Sequence, residues 1–378
     1  MKRKISHLLI FLIIPWLSLF SQDRPGVREF GIKTGILEPG PLNAITDVEG
    51  VLVGQVTLVK GDDIRTGVTA IHPHSGNIFQ HKVPAAVYAA NGFGKLMGLS
   101  QIEELGNLET PIILTNTLSV PVAADALTDY ILSLPGNEKI GSVNAVVGET
   151  NDGWLNDIRG KHIQKQHVLE AIRAASSGPV EEGAVGAGAG TTCFGYKGGI
   201  GTSSRKLPES RGGYTVGVLV QTNHGGILTI NGHQVGLHLG RHFMKSALED
   251  EKAGSCMVVV ATDAPLSSRN LKRLAKRALL GIVRTGGFYS NGSGDYAITF
   301  STAEELREDH HSTSPFLTRK TLRNDQMSPL FLAAAEACEE AILNSLFKAE
   351  SMTGRDGHFA EALPLKKIKD LINQKEKP

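Results

Sequence analysis

An apolar run in the second half of the chain restricts the fold most strongly. Residues 256–261 are apolar at every position, whereas a strand with one face in water alternates apolar and polar residues. The run follows directly on Gly254 and Ser255, and a charged stretch at 249–252 precedes them. The pattern predicts a central strand that is covered on both faces and begins with a hydroxyl.

Other segments alternate between strand and helix patterns. A helix beginning at Ser267 or Ser268 and ending at Gly286 carries apolar residues at i, i+3, i+4, i+7, i+8 and i+11 from Leu271, which predicts one buried stripe. The mixture of elements predicts an α/β class with several layers. Strands are predicted at 51–58, 85–90, 111–115, 143–147, 214–221 and 295–302, and further helices at 118–134, 166–175 and 329–350.

Glycine is abundant, with 43 of 378 residues, and eight of them lie in 183–202. Because Cys193, Phe194 and Tyr196 are interleaved with these glycines and favour burial, the segment is predicted to be ordered rather than a flexible linker. No strand pattern precedes the glycines at 186, 188 and 190, which disfavours a dinucleotide loop.

The beginning of the chain has the order of a secretory signal peptide. Lys2, Arg3 and Lys4 precede a mostly apolar stretch at 5–20, and polar sequence follows from Ser21. That stretch is shorter than the ~20 residues that a membrane span requires, so a membrane anchor and stable membrane insertion are disfavoured. We predict a signal peptide at 1–21, a single domain at 22–378 and a secreted, periplasmic location.

The charge balance, the cysteines and the histidines argue against a nucleic-acid partner, a disulfide framework and a metal site. Lys and Arg total 39 against 38 for Asp and Glu, without a basic block, which disfavours nucleic acid. The odd count of three cysteines argues against a disulfide framework and predicts buried thiols. The pairs His72/His74 and His310/His311 lack zinc-ligand spacing. We interpret them as surface residues and predict no metal and no cofactor.

The junction between Gly254 and Ser255 offers a specific chemistry. Glycine leaves its carbonyl unshielded and can adopt conformations that other residues avoid, so the Ser255 hydroxyl could attack a strained bond. Cleavage there would leave Ser255 as a chain start, whose amine titrates near ~8 and can serve as the base for its own hydroxyl. Taken alone, the pair is also typical of an ordinary turn.

Several motifs together resemble one enzyme family. Their order and their span of about residues 40–360 are similar to the L-aminopeptidase D-Ala-esterase/amidase family, which includes the β-peptidyl aminopeptidases. The motifs are Asn43-Ala44-Ile45-Thr46-Asp47-Val48 with Gly50-Val51 and Val53-Gly54, Arg65-Thr66-Gly67-Val68-Thr69, Thr115-Asn116-Thr117, Gly198-Gly199-Ile200-Gly201-Thr202-Ser203-Ser204-Arg205, Asn291-Gly292-Ser293-Gly294-Asp295 and Met352-Thr353-Gly354-Arg355-Asp356-Gly357.

The resemblance implies a four-layer α/β/β/α sandwich and a serine aminopeptidase that acts on small peptides or on amino-acid amides and esters. It implies self-processing between Gly254 and Ser255 into chains 22–254 and 255–378, and assembly into a homo-oligomer. Ser255 would be the nucleophile, with Ser293 and Asp295 beside it, and Asn223 would donate its amide to the oxyanion.

The resemblance also assigns substrate binding. Glu149 would bind the free amino group of the substrate, and Asn151 stands where some relatives carry tyrosine. From the residues alone, Asn223 could be a turn residue, Ser293 a loop serine, and Glu149 part of a solvated loop end.

Two other functions remain open at this point. An acyltransferase of related fold would move an acyl group between amines, although the nucleophile there is usually threonine. A secreted, non-enzymatic solute-binding protein of similar size would be a single intact chain.

Overall fold

The computed structural model describes residues 24–245 and 254–375. The predicted signal peptide at 1–21 and the charged stretch at 249–252 lie outside the described residues. Within the described ranges, no helix is long and apolar enough to span a membrane.

Strands and helices alternate along the described chain. The strands are β1 (Leu52–Lys60), β2 (Ile64–His72), β3 (His81–Gly92), β4 (Leu96–Met97), β5 (Asn107–Leu108), β6 (Ile112–Asn116), β7 (Val146–Thr150), β8 (Thr192–Cys193), β9 (Tyr196–Lys197), β10 (Ile200–Lys206), β11 (Thr215–Asn223), β12 (Ser255–Thr262), β13 (Gly294–Ser301), β14 (Glu308–Asp309), β15 (Met352–Thr353) and β16 (Phe359–Ala360). The α-helices are α1 (Leu99–Leu105), α2 (Val120–Leu132), α3 (Lys165–Arg173), α4 (Val235–His238), α5 (Ser268–Ala278), α6 (Leu280–Arg284), α7 (Ser328–Phe347) and α8 (Leu365–Lys375).

Two sheets form the centre of the molecule. One has the strand order β1-β2-β6-β7-β4, and the other has the order β10-β11-β12-β13-β3-β14, with β5 also paired to β3. The pairs β6–β7 and β12–β13 are parallel, and the other pairs in the two sheets are antiparallel. Strand β12 therefore lies inside its sheet, as the apolar run at 256–261 predicts.

Three apolar clusters define four layers. One lies between the sheets and includes Leu114, Leu219 and Met257. A second joins the outer face of the larger sheet to α5, α6 and α7, and a third joins the outer face of the smaller sheet to α2 and α3. The layers are α/β/β/α, which confirms the predicted fold class.

The helix predicted between Ser267 and Gly286 forms, but it is divided. Ser267 caps α5, its hydroxyl accepting the backbone N–H of Asn270 at 3.4 Å. The chain then continues as α6 after Leu279. The predicted apolar stripe is buried in both pieces, so the periodicity located the face that packs on the sheet.

The glycine-rich segment 183–202 is ordered, as predicted, and contains β8, β9 and the start of β10. Cys193, Cys256 and Cys338 are buried free thiols, also as predicted. The interpretation of both histidine pairs as surface residues is wrong for His72 and His74. Both are buried, and His74 Nδ1 accepts the N–H of Gly76 at 3.0 Å while Nε2 lies 2.9 Å from the carbonyl oxygen of His81.

A close approach between β10 and α7 fixes the outer helix on the larger sheet. A Cβ atom at Gly201 would lie 1.9 Å from the carbonyl oxygen of Ala341 in α7. Glycine is therefore required here for backbone-to-backbone packing rather than for turn geometry.

We expect Gly201→Ala to lower the free energy of unfolding by about 1–3 kcal/mol, because the added methyl overpacks the contact with α7. Gly141→Ala is the matched control, since a Cβ there has no atom within 4 Å; its effect should stay within about 0.5 kcal/mol. Urea unfolding of both variants is the measurement. Equal stability of the two would contradict the packing assignment.

Candidate active site

Ser255 is the first residue of β12 and is buried. It pairs with Asn223 across the antiparallel β11–β12 ladder and with Gly294 across the parallel β12–β13 ladder. Side chains alternate along a strand, and directly paired residues share a face. Met257 and Leu219 belong to the cluster between the sheets, so Ser255 and Asn223 lie on that same inner face.

The bond between Gly254 and Ser255 is held by neighbouring backbone. The Gly254 carbonyl oxygen accepts the N–H of Gly294 at 3.3 Å. A Cβ at Gly254 would lie 3.0 Å from the Cα of His224. The absence of a side chain at Gly254 therefore permits a close approach to β11.

Asn223 is oriented by a loop from the glycine-rich segment. Its Oδ1 accepts the backbone N–H of Thr192 at 3.2 Å. Because the two ends of the amide differ, this bond leaves Nδ2 as the donor that faces elsewhere. The hydrogen bonds found within residues 24–245 and 254–375 include none donated by Nδ2. The turn alternative is wrong, because Asn223 is the last residue of β11.

Ser293 directly precedes β13, Asp295 is the second residue of that strand, and both are buried. Neither the Ser293 hydroxyl nor either Asp295 carboxylate oxygen has a hydrogen-bond partner of normal geometry within the described chain. Burial raises the pKa of Asp295 to about 6, and the nearby Ser293 hydroxyl partly offsets this rise. Ser293 is a loop residue, as the local pattern allows, but its side chain is buried.

The strand register places the side chains of Asp295 and Ser255 on opposite faces of the sheet. Asp295 is paired with Cys256, which packs in the cluster against the helices. The carboxylate therefore lies on the outer side of the strand pair, while the Ser255 side chain lies on the inner side. This refines the prediction that Asp295 lies beside the nucleophile, because the two approach from opposite faces of one ladder.

Glu149 is the fourth residue of β7 in the facing sheet and is buried, so the solvated-loop alternative is wrong. Oε1 accepts the backbone N–H of Lys95 at 2.9 Å, and Oε2 accepts the hydroxyl of Thr117. A Cβ at Gly94 would lie 3.4 Å from Oε1 and 3.1 Å from the Cα of Gly294. Gly94 thus separates the Glu149 carboxylate from the strand that flanks Ser255.

Asn151 is exposed, and its Oδ1 accepts the N–H of Gly153 at 2.9 Å, as in a turn.

A cysteine and a histidine, Cys193 and His224, also lie near the site. Burial lowers the pKa of His224 to about 4 and raises that of Cys193 to about 12. At neutral pH this pair therefore provides neither an imidazolium nor a thiolate.

Three residues at the site were not singled out as site residues from the sequence. Thr117 holds the Glu149 carboxylate, Thr192 holds Asn223, and Lys197 is a fully buried lysine beside Thr192. Thr117 and Lys197 lie in or next to the motifs that carry the family resemblance. Thr192 acts through its backbone, which leaves no signal in the side-chain pattern.

Comparisons with known proteins show the family of the chain. The model of "Peptidase family S58" matches residues 43–360. The chain is 39% identical over 377 residues to the β-peptidyl aminopeptidase BapA of Sphingosinicella microcystinivorans, covering 94% of this chain and 93% of that protein.

Solved structures show the same fold. A β-aminopeptidase of Burkholderia sp. has a TM-score of 0.86 at 40% identity, covering 94% of this chain and all (100%) of that one. The L-aminopeptidase D-Ala-esterase/amidase of Ochrobactrum anthropi has a TM-score of 0.85 at 37% identity, covering 94% and 99%. It is described as a prototype of the serine aminopeptidases and a variant of the Ntn-hydrolase fold.

The layered fold and these relatives define a serine aminopeptidase of the N-terminal-nucleophile class. The chain belongs to peptidase family S58. The resemblance found in the sequence is confirmed, and the alternative of a non-enzymatic solute-binding protein is wrong.

The raised pKa of Asp295 predicts that the free energy of unfolding depends on pH. Its carboxyl has a pKa of about 6 in the folded chain and about 3.9 when unfolded. The folded state therefore binds the proton more tightly and loses relative stability as pH rises from about 4 to about 6. Two pKa units correspond to about 3 kcal/mol.

We expect Asp295→Asn, made in a Ser255→Ala background to keep the chain intact, to gain about 2–3 kcal/mol relative to its parent between pH 4 and pH 7.5. Urea unfolding at both pH values measures this gain. Asp62→Asn is the control, because Asp62 is exposed and its substitution should show no such gain. A gain for Asp295→Asn that is the same as for the control would contradict the burial argument.

Proposed function

We propose that the chain cuts itself between Gly254 and Ser255 and then uses Ser255 to release N-terminal amino acids from peptides, amides or esters through an acyl-enzyme. The observation that carries the proposal is the three-strand register at one position: Ser255 has Asn223 on one side and Gly294 on the other. A nucleophile, an amide donor and a backbone N–H therefore converge where the Gly254 carbonyl lies.

In self-cleavage, Ser255 Oγ attacks the Gly254 carbonyl carbon. The N–H of Gly294, 3.3 Å from the carbonyl oxygen, already polarises it in the intact chain. The Gly254–Ser255 C–N bond breaks, the Ser255 nitrogen takes the hydroxyl proton, and Gly254 is left as an ester on Oγ. Water hydrolyses the ester and leaves a free Ser255 amine and hydroxyl.

In turnover, the Ser255 amine accepts the proton of its own hydroxyl as Oγ attacks the substrate carbonyl. Asn223 Nδ2 donates to the developing oxyanion, a contact typically worth about 3–4 kcal/mol. The leaving amine or alcohol takes the proton, and water then releases the amino acid from Oγ. The Asp295 carboxylate, on the other face with the Ser293 hydroxyl nearby, stabilises the protonated Ser255 amine through its charge.

Glu149 supplies selectivity for a free N-terminus. Its two oxygens accept from Lys95 and Thr117, which holds the carboxylate and leaves lone pairs for a substrate ammonium. Small peptides, amino-acid amides and esters with uncapped amines are the proposed substrates, in keeping with the names of the relatives. Asn151 is exposed in its turn, and its part in substrate binding stays a prediction.

The remaining expectations belong to the same proposal. They are export through a signal peptide at 1–21 to the periplasm, division of the domain 22–378 into chains 22–254 and 255–378, and assembly into a homo-oligomer. Acyl transfer to amines is the second candidate function, and an assay of release to water against transfer to an added amine separates the two.

We expect Ser255→Ala to remain one chain and to show no turnover of an amino-acyl p-nitroanilide. Ser290→Ala is the control, because the contacts of Ser290 within the described chain are made by its backbone carbonyl, which accepts from Asn91 Nδ2 and from the N–H of Ser293, each at 2.8 Å. The control should yield two chains and retain activity. A processed, active Ser255→Ala would remove this residue from both reactions.

Glu149→Gln should separate processing from turnover. Self-cleavage acts on an internal peptide bond that has no adjacent ammonium, so the variant should still form two chains. Loss of a partly shielded charge pair should lower kcat/KM about 30- to 1000-fold, equivalent to ~2–4 kcal/mol.

N-acetylated substrates provide the internal control for Glu149→Gln. They lack the ammonium, so they should be poor for the wild type and no worse for the variant. Equal kcat/KM of variant and wild type on free-amine substrates would remove Glu149 from the site.

A further inference from the structure

Lys197 is fully buried, and its ammonium is bound only to backbone carbonyls among the described residues. Nζ donates to the carbonyl oxygens of Gly188 at 3.0 Å, Thr191 at 2.9 Å and Gly198 at 2.7 Å. An ammonium has three N–H donors, so all three are used. Burying an ammonium is costly unless it is fully hydrogen-bonded. The three bonds from Lys197 therefore hold the backbone of the surrounding loop in place.

One of these carbonyls belongs to the peptide that holds Asn223. The Thr191 carbonyl and the Thr192 N–H are parts of the same planar peptide unit, and they point in opposite directions. Lys197 binds the oxygen at one end, and Asn223 Oδ1 accepts the N–H at the other end at 3.2 Å. The N–H of Gly198 also donates to the Thr191 oxygen, at 3.3 Å.

This arrangement connects a buried cation to the amide of Asn223 through one peptide group. A charge on the carbonyl side polarises the peptide and strengthens its N–H as a donor. The orientation of the peptide also decides which end of the Asn223 amide meets it. If the N–H turned away, the amide could rotate and present Oδ1 to the oxyanion, where it would repel rather than stabilise.

We propose that Lys197 is a positioning residue for the reaction, acting through the Thr191–Thr192 peptide to keep Asn223 Nδ2 directed at the oxyanion. The proposal rests on the oxyanion role proposed above for Asn223. Lys197 contacts neither the substrate nor Ser255 in this account. Its effect is on the transition state alone, so it should change kcat and leave KM nearly unchanged.

Burial lowers the pKa of Lys197 to about 7, and the charge of the buried Asp152 works against this decrease. Asp152 in turn accepts from Asn156 Nδ2 at 3.0 Å. Burial also raises the pKa of Asp152, to about 7, so Lys197 and Asp152 form a pair in which each group favours the charged form of the other.

A double-mutant cycle tests the proposal. Lys197→Met removes the ammonium and keeps the length of the side chain, and it should lower kcat about 10- to 100-fold with KM changed less than about 2-fold. In an Asn223→Ala background the same substitution should lower kcat by less than about 2-fold, because the group through which Lys197 acts is gone. The melting temperature is measured for each variant.

Lys82→Met is the matched control, because Lys82 also donates to a backbone carbonyl, that of Phe79 at 2.8 Å, away from the site. Its kcat should be that of the wild type. If Lys197→Met does not fold, Lys197→Gln, which keeps a neutral N–H donor, enters the same cycle. If neither folds, the ammonium serves stability and the proposal is overturned.

Two outcomes distinguish a failure of the oxyanion role of Asn223 from a failure of the positioning role of Lys197. Full kcat in Asn223→Ala would overturn the oxyanion role itself, and with it this inference. A slow Asn223→Ala with an additive loss from Lys197→Met would leave the proposed function standing and overturn only the role of Lys197.

Discussion

The parallel pairing of β12 with β13 is the constraint on which the rest of the site depends. It places Gly294 beside Ser255 and aims its N–H at the Gly254 carbonyl. Parallel strands need a crossover connection, and here α5 and α6 provide it and cover one face of the sheet. The second sheet covers the other face, which is why residues 256–261 of β12 are apolar and why Ser255 is buried.

Two buried charged side chains, Arg205 and Asp295, differ in whether the folded chain provides hydrogen-bond partners for them. Arg205 is fully buried, and its guanidinium donates to the carboxylates of Glu336 and Glu340 as well as to backbone oxygens, so its charge is compensated. The Asp295 carboxylate has no such partner in the described chain. An unsatisfied buried polar group typically costs about 1–3 kcal/mol, and a group retained at that cost is expected where the reaction needs it.

The sequence predicted the fold well wherever a local period was strong. The apolar run after Ser255 and the stripe beginning at Leu271 both identified buried faces correctly, because burial imposes a period of its own on the residues. The break between α5 and α6 was missed, since Gly281, two residues beyond Leu279, does not interrupt the apolar period that continues to Ile282. His72 and His74 were misplaced because their burial is decided by the packing of the folded chain rather than by their neighbours in sequence.

The site was predictable in a different way. The roles of Ser255, Asn223 and Glu149 were implied by the resemblance to a family, and local patterns alone favoured turns and loops at these positions. The structure added what no side-chain pattern contains: the register that pairs Asn223 with Ser255, the backbone N–H groups of Thr192 and Gly294, and the close passage of Gly254 past β11. These depend on contacts between residues far apart in the chain.

The intact mass of the smaller chain, recorded before and within milliseconds of mixing with an amino-acyl ester, tests the central claim most directly. The account predicts a chain with the mass of residues 255–378 that gains the mass of one amino-acyl group and then loses it, with the adduct located on Ser255. A single uncut chain that turns over the ester, or an adduct on the larger chain, would contradict the account.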